Sequence, residues 1–213
     1  MITIHAQVNG ITTKEKEEQA EKVKKWKKRF PKVFSGKIGK LKDYQIKLHI
    51  DKTINPTQAR PRNKPFHLRA AIERNLQTKL DQGIIEEVLG EPTEWLSETV
   101  CTPKAGTDEV RVCTDMSMAN KAILREKYEM PNIENIIYQA NGMNYFSKID
   151  LHSAFEQIEL APESRYISRF RTHKGIYQHK RLFFGVCYAP EIFHWLEETT
   201  FFGMKLSKKG ISL

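Results

Sequence analysis

The chain has no apolar run of the roughly 18 residues that a bilayer-spanning helix needs, so a membrane span is not expected. Residues Met1–Gly10 lack a cationic segment followed by an apolar one, and no secretory leader is expected. Cysteine is scarce. Cys101, Cys113 and Cys187 are far apart and form no paired motif, which excludes a disulfide framework or a zinc site. They are expected as small buried residues of an intracellular protein, acting in the cytoplasm or nucleus. No internal repeat or low-complexity tract is present. What remains is ordinary globular composition: 213 residues, 39% apolar and 29% charged, enough to bury a core.

The net charge is +9, and its location matters more than its size. Residues 1–42 carry 12 Lys/Arg and 4 Asp/Glu, a balance of +8; the rest carries 23 and 22, a balance of +1. An electrostatic case for nucleic-acid binding therefore applies to the N-terminal extension and barely to the body. Within Lys14–Phe30, Ala20, Val23, Trp26 and Phe30 recur near helical spacing among lysines. That pattern fits a solvated helical tether first, with a nucleic-acid contact as the alternative.

Beyond Gly39, Tyr44–Ile50 alternates apolar and polar residues, as a half-buried strand does. Asn55–Pro65, with three prolines, reads as an extended connector. Pro65 then opens a helix with Leu68, Ile72, Leu76 and Leu80 on one side and Gly83 as its stop. Ile84–Val88 is a short strand. Thr99–Pro103 and Glu109–Thr114 flank a turn containing Lys104 and Gly106. Tyr166–Arg171 and Ile176–Leu182 flank a second glycine turn. Between these units Asn144–Leu151 reads as a buried strand, and Pro190 opens a last helix with Ile192, Phe193 and Leu196 inward. The mixture implies an α+β fold with antiparallel pairing.

The chemistry centres on Phe146–Ile158. An apolar strand ending on Asp150 is costly unless its carboxylate is solvated, paired or metal-bound. It could cap the following turn. It could also hold magnesium, which takes oxygen ligands from a few carboxylates and substrate phosphates.

Eight segments extend the pattern: Gln82-Gly83-Ile84-Ile85-Glu86, Pro92–Ser97, Pro103-Lys104, Arg111–Met116, Ala119–Ile123, Phe146–Leu151, Thr172–Gly175 and Phe184-Gly185 with Ala189–Phe193. In this order and spacing, over about 150 residues, they resemble reverse transcriptases of gypsy-type retrotransposons and retroviruses. The resemblance implies a right-hand polymerase fold, with the fingers and the opening, incomplete part of the palm present. It implies Asp150 as the first metal-binding aspartate, assisted by the Leu151 carbonyl, with Mg2+ as the ion. Ser153 and Ala154 would offer backbone amides to the incoming triphosphate. Phe155 would fill the space of a 2′-hydroxyl and so favour deoxynucleotides. Lys104 and Arg111 would grip the triphosphate, as a cation in a glycine turn and one on the next strand suit phosphate charge. Phe184 and Gly185 would approach the nascent base pair and template; Trp95 is either template-facing or core. The implied partners are an RNA or DNA template–primer and deoxynucleotides, with no membrane.

Several positions depart from the family. Ser117 stands for the usual Arg, Glu98 for Pro, Glu156 and His194 for His and Gln, and Tyr188 for a small residue where bulk would crowd the palm. The downstream Asp-Asp pair of the family is not among these 213 residues. The expected division is a basic extension over 1–42, a partial domain over 43–203 and a tail unlike the family over 204–213. Such a segment alone is expected to be catalytically incompetent. Its Asn144–Leu151 strand would lack its usual partner and offer an edge to the missing palm portion or to another chain.

Overall fold

The computed structural model describes residues 2–5, 13–32, 34–125, 132, 134, 138, 141, 148–195, 199–201, 204–207 and 210–212. For 2–5, 13–19, 148–150, 194–195, 199–201, 204–207 and 210–212 it describes the backbone. The chain divides into two compact units, Lys40–Lys127 with Phe155–Trp195, and Met1–Gly39 with Tyr128–Ala154 and Leu196–Leu213.

The first-named unit holds most of the sequence-expected elements. Residues Tyr44–Ile50 alternate in burial as foreseen, but only Gln45–Ile46 (β2) forms a ladder, parallel to Glu159–Leu160 (β7). The proline-spaced connector is extended and touches Leu96 through Gln58. Pro65 opens a 3-10 turn, Phe66–Leu68, that runs into helix α2, Arg69–Asp81. Ala71, Ile72 and Leu76 are its buried face. Gly83 ends it in the left-handed region, φ 64°. The Gly83 N–H reaches the Leu80 carbonyl and the Ile84 N–H the Lys79 carbonyl, both at 2.9 Å, which closes the last turn in a Schellman arrangement.

The chain after Gly83 is the first edge of a five-stranded sheet: Ile85–Glu87 (β3), Ile176–His179 (β9), Phe170–Arg171 (β8), Ser97–Pro103 (β4) and Val110–Asp115 (β5), in that spatial order. Neighbours are antiparallel except β4 and β8, which pair in parallel from Ser97↔Phe170. Sequence reasoning expected antiparallel pairing throughout and a strand from Tyr166. The parallel contacts are possible because a long crossover separates the paired strands, and Tyr166–Ser168 is a 3-10 turn instead. Helix α2 packs on β3 and β5. Ile72, Ile84, Ile85, Ile158, Leu160, Ile167 and Leu182 form the driest part of the core. Trp95 is 3% exposed, which places it in this core and not on a template-facing surface. The cysteines depart from expectation: Cys113 is exposed, Cys101 and Cys187 half-buried.

Two departures noted in the sequence are accommodated by packing. Tyr188 is 1% exposed, buried just ahead of helix α3, Ala189–Trp195. Glu98 lies on β4 in the core, where its carboxylate accepts from the Lys64 ammonium at 2.9 Å and from the Arg62 N–H at 2.8 Å. Lys64 also donates to the Thr99 carbonyl. Both side chains are nearly fully enclosed, so each charge depends on the other for its solvation.

In the other unit, Thr13–Arg29 forms helix α1. Ile2–His5 (β1) pairs antiparallel with Lys148–Leu151 (β6), with Thr3 opposite Asp150. The Asp150 strand thus has a partner on one side, which the sequence did not foresee; in this two-stranded sheet its other side carries no ladder among the described residues. The alternating, β-branched stretch Ile2-Thr3-Ile4 suits a strand. Residues 144–147 and Leu196 lie outside the described residues. Thr199–Phe201, Met204–Ser207 and Gly210–Ser212 form an antiparallel meander, β10–β12, which spans the end of the expected domain and the tail unlike the family, and for which the sequence suggested no strands. Among the described residues no helix is long and apolar enough to cross a membrane.

Removing one partner of the Lys64–Glu98 pair strands the other charge in the core. Lys64→Met or Glu98→Gln should each cost about 3–5 kcal/mol in urea unfolding. The Lys64→Met/Glu98→Gln double variant should cost clearly less than the sum of the two; strict additivity would mean the pair is not coupled.

Candidate functional site

The β4–β5 hairpin is the most regular feature of the site. Six residue pairs run from Glu98↔Asp115 to Pro103↔Val110. Burial alternates along β5, with Val110 and Thr114 inside and Arg111 and Cys113 outside, because successive side chains in a strand point to opposite faces. Beyond the last pair, Lys104 turns the corner: its N–H donates to the Glu109 carbonyl at 2.9 Å, and Gly106 takes φ 74°. Arg111 stands opposite Thr102, so the two expected phosphate-gripping cations share the hairpin's end. Lys104 is not idle there. Its ammonium contacts Glu109 Oε2 at 2.5 Å, and this contact holds the Glu109 carboxyl below its usual range. Both groups are well exposed, so the pair is weak and a phosphate could replace it.

The second feature is aromatic. Phe155 begins a 3-10 turn, Phe155–Gln157, and its ring lies 4.7 Å from Phe184 and 5.9 Å from Phe193 on α3. Phe184 is 63% exposed, an unusual position for a phenyl ring and one suited to a flat ligand surface. Gly185 follows with φ 122°, and a Cβ there would stand 3.2 Å from the Thr114 carbonyl oxygen and 3.4 Å from Met116 Cγ. Only glycine allows the 184–187 loop to lie on the end of β5. Arg111 is then about 10 Å along the strand from that contact, three residues at the rise of an extended chain.

Asn120 locks the same loop. Its amide nitrogen donates to the Gly185 carbonyl at 2.7 Å, and its amide oxygen accepts from the Cys187 N–H at 3.0 Å. Sequence reasoning gave Asn120 no role. The available signal was an Asn in a 3-10 turn, Ala119–Lys121, whose side chain can satisfy a donor and an acceptor of a passing backbone. Arg125 adds bonds to the Cys187 carbonyl and Glu191. Ser117, in place of the family's Arg, donates from hydroxyl and backbone to Asp115 Oδ1, which lowers the Asp115 carboxyl; Arg62 contributes less.

His179 supports this surface from beneath. Its ring stacks on Phe183, centroids 3.6 Å apart and 7° from parallel, with Phe170 at 4.9 Å on another side. Its Nε2 bonds the Thr114 hydroxyl at 3.0 Å, so His179 braces the residue whose carbonyl meets Gly185. Burial, with a smaller push from the Lys79 charge, holds the imidazole well below its ordinary pKa and therefore neutral.

Asp150, Leu151, Ser153 and Ala154 belong to the other unit. Asp150 is in β6, and its side chain lies outside the described ones. Ser153 takes a left-handed conformation, φ 49°, rare for a residue with a Cβ and a mark of a sharply turned backbone. Among the described residues no three of His, Cys, Asp and Glu converge as a metal site requires.

A family model described as reverse transcriptase (RNA-dependent DNA polymerase) matches residues 102–208, half of the chain, and the chain belongs to that family. It is a partial domain of the kind found in retrotransposon Pol polyproteins. It is 28% identical over 172 residues to the retrovirus-related Pol polyprotein from transposon 412 of Drosophila melanogaster, and 29% over 143 residues to that from transposon gypsy. These matches take in 80% and 62% of this chain and 14% of each relative, so the chain spans about one seventh of their length. An uncharacterized protein of Caenorhabditis elegans, K02A2.6, is 30% identical over 188 residues, 87% of this chain and 14% of that one. In fold, the chain is similar to the prototype foamy virus protease–reverse transcriptase, with TM-score 0.72, 16% identity, and coverage of 88% of this chain and 26% of that one. The α+β fold is thus reverse-transcriptase-like. Reverse transcriptases generally use a divalent metal ion.

Two outcomes follow from the bracing of the loop. Asn120→Ala should leave global stability within about 2 kcal/mol but free the 184–187 segment; the Cys187 amide should then exchange hydrogen much faster than in the parent chain, and unchanged protection would refute the clamp. The His179 ring stays neutral in the folded state, whereas the unfolded chain takes up a proton below about pH 6.5. Stability should therefore fall as pH drops from 6.5 towards 5, by at most about 1.4 kcal/mol per pH unit from this group. His179→Phe should flatten that slope in paired urea titrations.

Proposed function

We propose that this chain is the fingers and opening palm segment of an RNA-directed DNA polymerase that copies an RNA or DNA template with deoxynucleoside triphosphates. The observation that carries the reading is the Phe155–Phe184 ring contact. Two residues assigned separately from the sequence, one to the sugar and one to the template side, form one aromatic surface. Foamy virus relatives of the same fold have been seen with double-stranded DNA and with an RNA/DNA hybrid, which supports a template–primer as the partner.

In this reading Lys104 exchanges its Glu109 contact for triphosphate oxygens, and Arg111 adds a planar, bidentate donor nearby. Phe155 is held between Phe184 and Phe193, so its ring cannot swing away when a 2′-hydroxyl presses on it. Sugar selection is then a steric penalty against a braced wall. The strained turn at Ser153 and Ala154 presents backbone amides to the phosphates. Asp150, with the Leu151 carbonyl, holds the divalent ion, Mg2+ by preference of such oxygen donors for hard cations. The ion supplies charge neutralisation of the phosphates when bound. Residues 1–42 act as a basic extension, 43–203 as the partial domain and 204–213 as a separate tail. The site of action is inside the cell, in cytoplasm or nucleus.

These 213 residues hold one carboxylate of the expected cluster, so the purified chain should give no primer extension, although the downstream palm or another chain could complete it. Template- and Mg2+-dependent product that disappears in Asp150→Asn would overturn the incompetence. The residue roles are tested in a chimera that places residues 43–195 in an active polymerase of a related transposon. There Asp150→Asn should abolish synthesis, Lys104→Ala should raise the nucleotide KM about 10- to 100-fold, and Phe155→Val should raise ribonucleotide use at least tenfold. A chimera indifferent to all three would sink the assignment.

A further inference from the structure

The N-terminal helix lies outside the residues matched to the polymerase family, yet it carries the chain's charge asymmetry. In α1 the acids Glu15, Glu17, Glu18 and Glu21 all fall in the first half, interleaved with Lys14 and Lys16, whereas Lys22, Lys24, Lys25, Lys27, Lys28 and Arg29 fill the second half with no acid among them. Sorting of this sense suits the helix dipole. It goes further than the dipole requires, because Lys24 and Lys28, and Lys25 and Arg29, are like charges one turn apart and repel. The first half of the helix interleaves its lysines with acids, and the second half does not. Every residue from Ala20 to Arg29 is exposed.

Among these cations stands Trp26, 49% exposed, with Val23 beside it. Lys22 lies one turn before Trp26 and Arg29 one turn after, so helical spacing puts an indole between two cations on one face. Arg29 already spreads its guanidinium over the Phe30 ring, 5.4 Å from the centroid, which extends the flat surface past the helix end. Concentrated positive charge with an interposed, accessible aromatic is the chemistry that single-stranded nucleic acid recognises: phosphates meet the cations, and an unpaired base stacks on the ring.

We propose that the second half of α1 is a sequence-independent binding site for single-stranded nucleic acid, with Lys22, Lys25 and Arg29 on the phosphates and Trp26 under a base. An anionic membrane is the weaker fit. Val23, Trp26 and Ala20 are the exposed apolar residues of Ala20–Arg29, too few for the continuous apolar face that an interfacial helix sinks between lipids. The proposal stands whether or not the chain polymerises, since it concerns residues outside the aromatic and hairpin surfaces.

The test uses the full chain and a fluorescent oligothymidylate, titrated over a range of salt, with helix content checked by circular dichroism. Lys22→Gln/Lys25→Gln/Arg29→Gln should weaken binding and flatten the plot of log affinity against log salt by about 2, at roughly 0.7 per lost phosphate contact. Trp26→Ala should weaken binding about tenfold at unchanged salt slope, and Trp26→Phe should restore most of it. Lys42→Gln/Lys47→Gln/Lys52→Gln, an equal loss of exposed charge elsewhere, should change the slope by less than half as much. Equal effects of the two triple variants, or a Trp26→Ala chain that binds normally, would overturn the site. So would tighter binding to phosphatidylserine vesicles than to the oligonucleotide.

Discussion

The candidate site depends on one close approach. Gly185 lies against the Thr114 carbonyl, where a Cβ would stand a tight 3.2 Å from the oxygen on a backbone, φ 122°, that side chains rarely adopt. Everything on the aromatic side follows from it: the loop can lie flat on the end of β5, Phe184 is turned outward, and Phe155 finds a ring to lean on. Asn120 binds the loop from one side, and His179 braces Thr114 from the other. A rigid sheet edge thus fixes a polar-poor, ring-lined surface, while the charged end of the same hairpin stays solvated and adaptable. Rigid where shape selects, loose where charge must rearrange, is a physically economical division for the proposed nucleotide site.

Much of the fold was legible because its signals are local. The four-residue recurrence Leu68–Leu80 with Gly83 behind it specified α2 and its stop, and the alternation along Val110–Asp115 specified a strand with Arg111 outward. The fold class, with its fingers and opening palm, was readable from the order of eight short segments. What failed was non-local. Nothing in Ile2–His5 names Lys148–Leu151 as its partner, and nothing in β4 announces a parallel neighbour from residue 170. The meander over the last residues was missed because its strands are short and weakly patterned.

Several departures from the family pattern are accommodated by the contacts that the fold gives them. Glu98 in place of proline is matched by Lys64 and by a backbone donor that its carboxylate satisfies. Ser117 organises Asp115. Tyr188, expected to crowd, is enclosed. A residue read against a family motif is judged by what it replaces; in the fold it is judged by what it touches. His179 shows the limit of the first approach, since its stacking on Phe183 and Phe170 depends on residues from two strands and a loop.

The larger unit is discontinuous in sequence: Tyr128–Ala154 interrupts it, and its central strands β8 and β9 come from the far side of that interruption. The sheet is therefore a non-covalent weld between two stretches of chain. A nick within the intervening segment need not separate them, because backbone ladders and buried Ile and Leu side chains would still hold the halves together. The architecture has the makings of a split protein, whose two pieces could be produced apart and reconstitute the fingers on mixing.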